Sequence, residues 1–224
     1  MATQLVQLAD DWRGTLPEGG VMGEEKIDGW RAARFPGITG ITRLWTRNGM
    51  PIEGVDHILY RLAQIERVAG IPLFFDGEFQ VAGTLDATKR WCESGWRMGG
   101  EAGIYHLFDA MPLADWKAGG CDTPLYERKA ALARWIEAAD ADPTLSWEWR
   151  PGSRGRDEGA TPVVLIEDEW CASPREVMDL ARRVWAEGGE GLMLKDAMAP
   201  YRRNRNDAWM KVKQCNMNKW RMAA

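Results

Sequence analysis

Hydrophobic and polar positions alternate near the N-terminus. Trp30, Ala32 and Arg34 interleave with Arg31, Ala33 and Phe35 before a Pro36-Gly37 turn, and a second run, Ile41 to Thr46, ends at Asn48-Gly49. Period-two patterning between turn residues predicts an antiparallel meander from Val21 to about Ile52. The period then changes: Val55, Ile58, Leu59, Leu62, Ile65 and Ala69 recur at helical spacing, so residues 55–69 are expected to form a surface helix. Thr123-Pro124 opens a second helix carrying Leu125, Leu132, Trp135 and Ile136. Ser173-Pro174-Arg175-Glu176 is a capping box with proline at the first helical position, and Gly188-Gly189 closes that helix. Leu5, Leu8 and Trp12 predict a short amphipathic helix within residues 1–20. Strand-like runs lie at Leu73–Val81, Ile104–Met111, Val163–Ile166, Gly191–Lys195 and Ala208–Val212. Without a regular βαβ rhythm, the pattern predicts an α+β fold of antiparallel sheets flanked by helices. The Gly- and Arg-rich run Arg150–Ala160 reads as a mobile loop.

Composition narrows the class. The chain has 224 residues, 45% hydrophobic and 28% charged, which is ordinary for a globular domain and excludes a disordered or collagen-like chain. No apolar run approaches the length of a membrane span, and no secretory signal is visible, so a soluble, cytoplasmic protein without membrane contact is expected. Cys92, Cys121, Cys171 and Cys215 form no C-x-x-C pair, and only two histidines are present. Zinc and multi-histidine chemistry are thereby disfavoured, leaving lysine and carboxylates.

Charge is unevenly distributed. The net charge is −4, yet residues 201–224 carry +6 and residues 1–200 carry −10. A basic tail beside an acidic body suits local contact with phosphates, although a solvated basic face has the same composition.

The chemistry begins at Glu24-Glu25-Lys26-Ile27-Asp28-Gly29-Trp30-Arg31. Free lysine is only about 0.1% neutral near pH 7.4, so a nucleophilic lysine needs burial or neighbouring cations. Downstream come Arg47-Asn48-Gly49, Asp76-Gly77-Glu78, Phe108-Asp109, Glu190-Gly191-Leu192-Met193-Leu194-Lys195 and Trp209-Met210-Lys211-Val212-Lys213.

This ordered series, from Lys26 to Lys213, resembles the covalent nucleotidyltransferase superfamily and is most similar to ATP-dependent DNA ligases. The resemblance implies that Lys26 attacks the α-phosphate of ATP to form a lysine–AMP adduct. Glu24 would read the adenine edge, Phe108 would stack on the purine, and Glu78 would reach the ribose or a metal-bound water. Glu190, with Glu78, would hold Mg²⁺. Lys211 and Lys213, on one face of a strand, would hold the α-phosphate, while Arg31, Arg47 and Lys195 would contact nucleotide or the nicked strand. Asp28 and Gly29 would form the turn that presents Lys26, Asp76 would orient its neighbours, and Asp109 and Glu25 would be structural or solvated. The implied partner is nicked double-stranded DNA, bound by a monomer.

K-x-D-G-x-R is shared with capping guanylyltransferases. The Glu-Gly-Leu-Met-Leu-Lys and Trp-x-Lys-x-Lys runs are more similar to DNA ligases. Family members usually add an OB-fold after the last lysine motif, for which 11 residues leave no room. The expectation is a single adenylation domain over residues 1–224 with a basic tail from about 201. Arg202, Arg203, Arg205, Lys219, Trp220 and Arg221, with Arg150, Arg154 and Arg156, would supply a reduced DNA-binding surface. An RNA ligase, a self-adenylylating protein that needs a partner to seal, and a non-catalytic nucleic-acid-binding relative remain as alternatives.

Overall fold

The computed structural model describes residues 4–37, 40–98, 101–145 and 161–219. In chain order the elements are β1 (Leu8–Asp11), β2 (Val21–Glu25), β3 (Trp30–Pro36), β4 (Thr42–Thr46), α1 (Asp56–Ala69), β5 (Leu73–Gln80), α2 (Leu85–Glu93), β6 (Ile104–Pro112) and α3 (Leu113–Lys117). They continue with β7 (Gly120–Cys121), α4 (Leu125–Ala141), β8 (Val163–Leu165), β9 (Asp168–Cys171), α5 (Pro174–Ala186), β10 (Gly191–Lys195), β11 (Tyr201–Arg202) and β12 (Arg205–Lys213). The run expected as a mobile loop (Arg150–Ala160), Trp220, Arg221 and the Lys219 side chain lie outside the described residues.

Two five-stranded sheets carry the fold, one ordered β1-β12-β10-β2-β9 and the other β4-β3-β5-β6-β8. Strand alternation sorts their faces. Leu44, Ile58, Leu62, Ile65, Phe75, Leu107 and Leu132 pack the second sheet against α1 and α4. Val21, Val177, Leu180, Leu192, Leu194 and Val212 pack the first sheet against α5. A third cluster, including Ala33, Phe35, Phe74, Phe108, Tyr201 and Trp209, joins the two sheets. The architecture is therefore α+β, with the sheets sandwiched between helices and meeting at an apolar seam.

Helix expectations hold at their chemical punctuation. α1 ends at Gly70, whose φ of 69° lets its N–H reach back to Glu66 and Arg67. α5 starts at Ser173, whose Oγ accepts the Glu176 N–H at 3.3 Å, with Pro174 following.

Three expectations are corrected. Residues 4–20 hold no helix; β1 lies there, parallel to β12 and half-buried at the sheet edge. The meander is interrupted: β2 pairs with β9 and β10 in one sheet, whereas β3 pairs with β4 and β5 in the other. Alternation cannot reveal a change of sheet, because both sheets offer the same period. The sheets are also not wholly antiparallel, since β1–β12 and β6–β8 run parallel.

Candidate active site

Lys26 sits where the chain crosses between sheets. It leaves β2, and the Asp28-Gly29 turn delivers the chain to β3. Asp28 Oδ2 accepts the Leu85 N–H at 3.1 Å, and its carbonyl accepts from Gln80 Nε2 at 3.1 Å. A side chain at position 29 is excluded because its Cβ would lie 2.5 Å from the Phe79 carbonyl oxygen. The turn is thus anchored on α2 and β5.

A cavity of about 830 Å³ opens beside Lys26, bordered by residues of both sheets. Strand parity decides which side chains face it. On β12, Met210 and Val212 pack toward α5, so Lys211 and Lys213 take the opposite face and line the cavity. On β10, Leu192 and Leu194 face α5 and Lys195 faces inward. On β3 and β5, Arg31 and Glu78 are register partners, and both line it.

Three charged side chains form the cavity's ionic centre. Glu190 accepts from Lys26 Nζ through Oε2 and from Lys213 Nζ through Oε1, the latter at 2.5 Å. Burial alone would raise the Glu190 pKa, but the Lys213 and Lys26 hydrogen bonds hold it below the usual carboxylate value. Glu78 carries no such bond. Burial pushes it up to about 7, against the opposing pull of Arg31 and Lys26.

A second charged group lies deeper. The Glu24 carboxylate is 1% exposed and is gripped from two sides. Lys129 Nζ donates to Oε1 at 2.7 Å, and Lys195 Nζ lies 2.5 Å from Oε2. Lys195 Nζ also stands 4.0 Å from the Phe108 ring centre and 4.5 Å from that of Trp209. Burial lowers its pKa to about 8, with the Lys129 charge adding to the effect and Glu24 opposing it.

Phe108 borders the cavity at a backbone irregularity. Along β5 and β6, Asp76 pairs with Asp109 and Gly77 with Leu107, so Phe108 is the extra residue of a bulge. Phe108 faces the inter-sheet cluster opposite Leu107, as alternation requires, and the extra residue shifts the alternation beyond it, so that Ala110 returns to the helix side and Met111 to the cluster. Gly77 is required opposite, since a Cβ there would lie 2.6 Å from the His106 carbonyl oxygen.

Arg31 is held within the wall. Its Nε and Nη2 donate to the two Asp76 oxygens at 2.6 Å each, and its guanidinium lies 4.5 Å from the Phe108 ring centre. Asp76 also accepts from Tyr201 Oη at 2.6 Å. Asp109 is fully buried in a bidentate pair with Arg128, at 2.8 and 2.7 Å.

The basic residues of the C-terminal region separate. Arg205 borders the cavity while donating to the Ala9 carbonyl and lying 3.6 Å from Asp10, and exposed Arg47, from the N-terminal part of the chain, borders it too. Arg202 pairs with Asp122 and donates to the Tyr201 carbonyl at 3.1 Å. Arg203 donates to the Gln4 and Trp116 carbonyls at 2.9 and 3.2 Å and stacks over Trp116. These two guanidiniums tie the chain to itself and lie outside the cavity wall.

Lys129 was missed by the sequence reading. Its signal was its place on α4, four residues after Leu125 and three before Leu132, both fully buried, so a charge falls on the apolar face. Arg128, three residues after Leu125 and four before Leu132, carried the same signal, whereas Tyr201 carried none.

Residues 3–213 match the sequence profile of the ATP dependent DNA ligase domain. The chain belongs to that family. No curated protein sequence matches it. Among solved structures, this ligase domain is similar to Pmar-Lig_PreS3, at TM-score 0.74 and 20% identity, over 94% of this chain and 46% of that one. It is also similar to the ATP-dependent DNA ligase from bacteriophage T7 in complex with ATP, at TM-score 0.65 and 17% identity, over 95% of this chain and 70% of the phage enzyme. Chlorella virus DNA ligase-adenylate gives TM-score 0.66 and 18% identity, over 95% of this chain and 68% of the viral enzyme. The domain thus spans about half the length of the first of these, and at such identities the likeness is one of fold. Among the described residues, no helix is long and apolar enough to cross a membrane.

Proposed function

We propose that this ligase domain adenylylates itself on Lys26 with ATP and transfers the AMP to the 5′-phosphate of nicked DNA, which the adjoining 3′-hydroxyl then seals. The observation that carries the reading is the Lys26–Glu190–Lys213 ion group at the edge of a cavity whose wall also holds Phe108, Glu24 and Lys195.

Lys26 Nζ gives up one proton to expose its lone pair, then attacks the α-phosphorus. The N–P bond forms as the P–O bond to pyrophosphate breaks, pyrophosphate takes the electron pair, and the nitrogen loses a second proton. Lys211 and Lys213, on one face of β12, oppose the negative charge that gathers on the phosphorus oxygens. Deeper in the cavity, an acceptor (Glu24) beside a donor (Lys195) complements the amino group and ring nitrogen of adenine. Guanine presents the opposite order, so ATP is the preferred nucleotide. Phe108 supplies an apolar face for the purine.

Among the described residues, no three His, Cys, Asp or Glu side chains converge as a metal site. Glu78 and Glu190 both line the cavity, and Mg²⁺ is commonly held by one or two carboxylates together with substrate phosphates and water. Glu78 and Glu190 would hold it, and it would offset phosphate charge when bound. Arg47 and Arg205, which border the cavity, would contact the DNA backbone, and such binding weakens with salt.

Incubation with radiolabelled ATP and Mg²⁺, followed by a chase with nicked duplex, tests the proposal. Label on the protein that moves to DNA and yields a sealed strand is the expected result. Absence of a protein-bound label overturns it.

A further inference from the structure

Lys129 stands behind the cavity wall, 5% exposed, on the inward face of α4. An ammonium has three N–H donors, and each has an acceptor here: Glu24 Oε1 at 2.7 Å, Asp168 Oδ2 at 2.6 Å and the Ile166 carbonyl at 3.2 Å. Burial alone would lower the Lys129 pKa, but Glu24 and Asp168 outweigh it and the group stays charged. The three acceptors belong to β2, to β9 and to the link between β8 and β9. No donor is left for a ligand, and Lys129 is not among the residues that border the cavity.

Glu24 is different. It borders the cavity, and its second oxygen is the one beside Lys195. Without Lys129 a carboxylate between two cations would become a carboxylate held by one, free to turn toward Lys195 with both oxygens. The side-by-side order of acceptor and donor would then be lost. We propose that Lys129 is a positioning residue for base recognition, which pins Glu24 so that one oxygen stays presented to the cavity next to Lys195. This rests on the reading that the cavity receives the adenine of ATP.

A purely structural tie between α4 and β9 would act on stability and leave base discrimination alone. The two are separated by comparing ATP with purine riboside triphosphate, which lacks the amino group, as donors for protein labelling. Wild-type protein is expected to favour ATP by about tenfold or more in kcat/KM, the scale of one hydrogen bond to a charged group. Lys129→Met should lower that preference to about twofold or less, mainly by raising KM for ATP. Lys129→Arg, which keeps the charge, should restore part of it.

Melting curves establish that each variant is folded. A folded Lys129→Met with the wild-type preference overturns the inference. Where Lys129→Met does not fold, Asp168→Asn decides: it removes one anchor at a partly exposed residue, and an unchanged preference in that variant overturns the inference equally. A wild-type protein that labels with ATP but does not discriminate between the donors overturns this inference alone. A wild-type protein that takes no label overturns the reading beneath it.

Discussion

The backbone N–H of Lys26 donates to the carbonyl of Gly191 at 2.9 Å, so the lysine and the adjacent Glu190 are set by the same stretch of chain. Gly191 has φ of 149°, and a Cβ there would lie 2.0 Å from the Val212 carbonyl oxygen. Gly191→Ala should therefore force β10 away from β12 at the point where Glu190 meets Lys26 and Lys213. The expected cost is at least about 2 kcal/mol, or roughly 4–8 °C in melting temperature, with a larger proportional loss of adduct. Differential scanning calorimetry and labelling on the same sample check this. Wild-type melting with full labelling would show that the close approach is not needed.

Lys26→Arg isolates nucleophilicity from charge. A guanidinium keeps a cation opposite Glu190, so the fold should melt within about 1 °C of wild type, given the weakness of partly exposed ion pairs. It remains protonated and cannot attack phosphorus, so mass spectrometry after incubation with ATP should find no added AMP. An AMP adduct in this variant would place the nucleophile elsewhere.

Much of this architecture was legible in the chain. α1, α4 and α5 begin or end at Gly70, Pro124 and Ser173, because caps act locally and leave their signature in a few residues. The same is true of Lys211 and Lys213, whose common face follows from strand period alone. What was hidden depends on partners distant in sequence. The bulge at Phe108, which shifts the alternation of β6 beyond it, is a mismatch between β5 and β6, invisible on either strand taken singly. The Glu24–Lys129 contact joins residues 105 positions apart, and the place of Lys129 on the apolar face of α4 does not name its partner. Arg202 and Arg203 show the same limit: their charge is visible in the sequence, but their acceptors on Asp122, Gln4 and Trp116 are not.

Asp109 and Arg128, adjoining Phe108 and Lys129, form a pair almost sealed from water, with side chains 0% and 2% exposed. Removing one partner of such a pair strands a buried charge. Arg128→Met should cost about 3–5 kcal/mol, whereas Arg128→Met with Asp109→Asn should recover a large part because no unpaired charge remains. Urea denaturation of the two single variants and the double variant provides the cycle. Additive losses would mean that the two groups do not act as a unit.

The thiols offer a check on burial that is independent of activity. Cys92 is half-buried and pushed up to about 12 by burial, with Glu93 adding to it; Cys171 is buried and raised to about 11. Cys121 is buried and raised as well, whereas Cys215 is exposed. A thiol reagent at pH 8 should therefore modify Cys215 rapidly and the other three only as the protein unfolds. Peptide mapping identifies the site, and rapid modification of Cys171 would contradict the packing of α5 on the first sheet.

Glu78 makes stability depend on pH in a stated direction. Burial raises its folded pKa from 4.5 to about 7, so folding favours the protonated form. The resulting stabilisation is complete below about pH 4.5 and is lost as pH rises through about 7. Above that, the ionised side chain burdens the native state relative to a neutral one. Glu78→Gln should match wild type near pH 4.5 and exceed it near pH 8, by on the order of 2 kcal/mol after allowance for partial exposure. Denaturation of both proteins across this range gives the difference as a curve with its midpoint between the two pKa values. A difference independent of pH would mean that Glu78 ionises as freely in the fold as in the unfolded chain, and the half-buried wall between Arg31 and Lys26 would then be open to water.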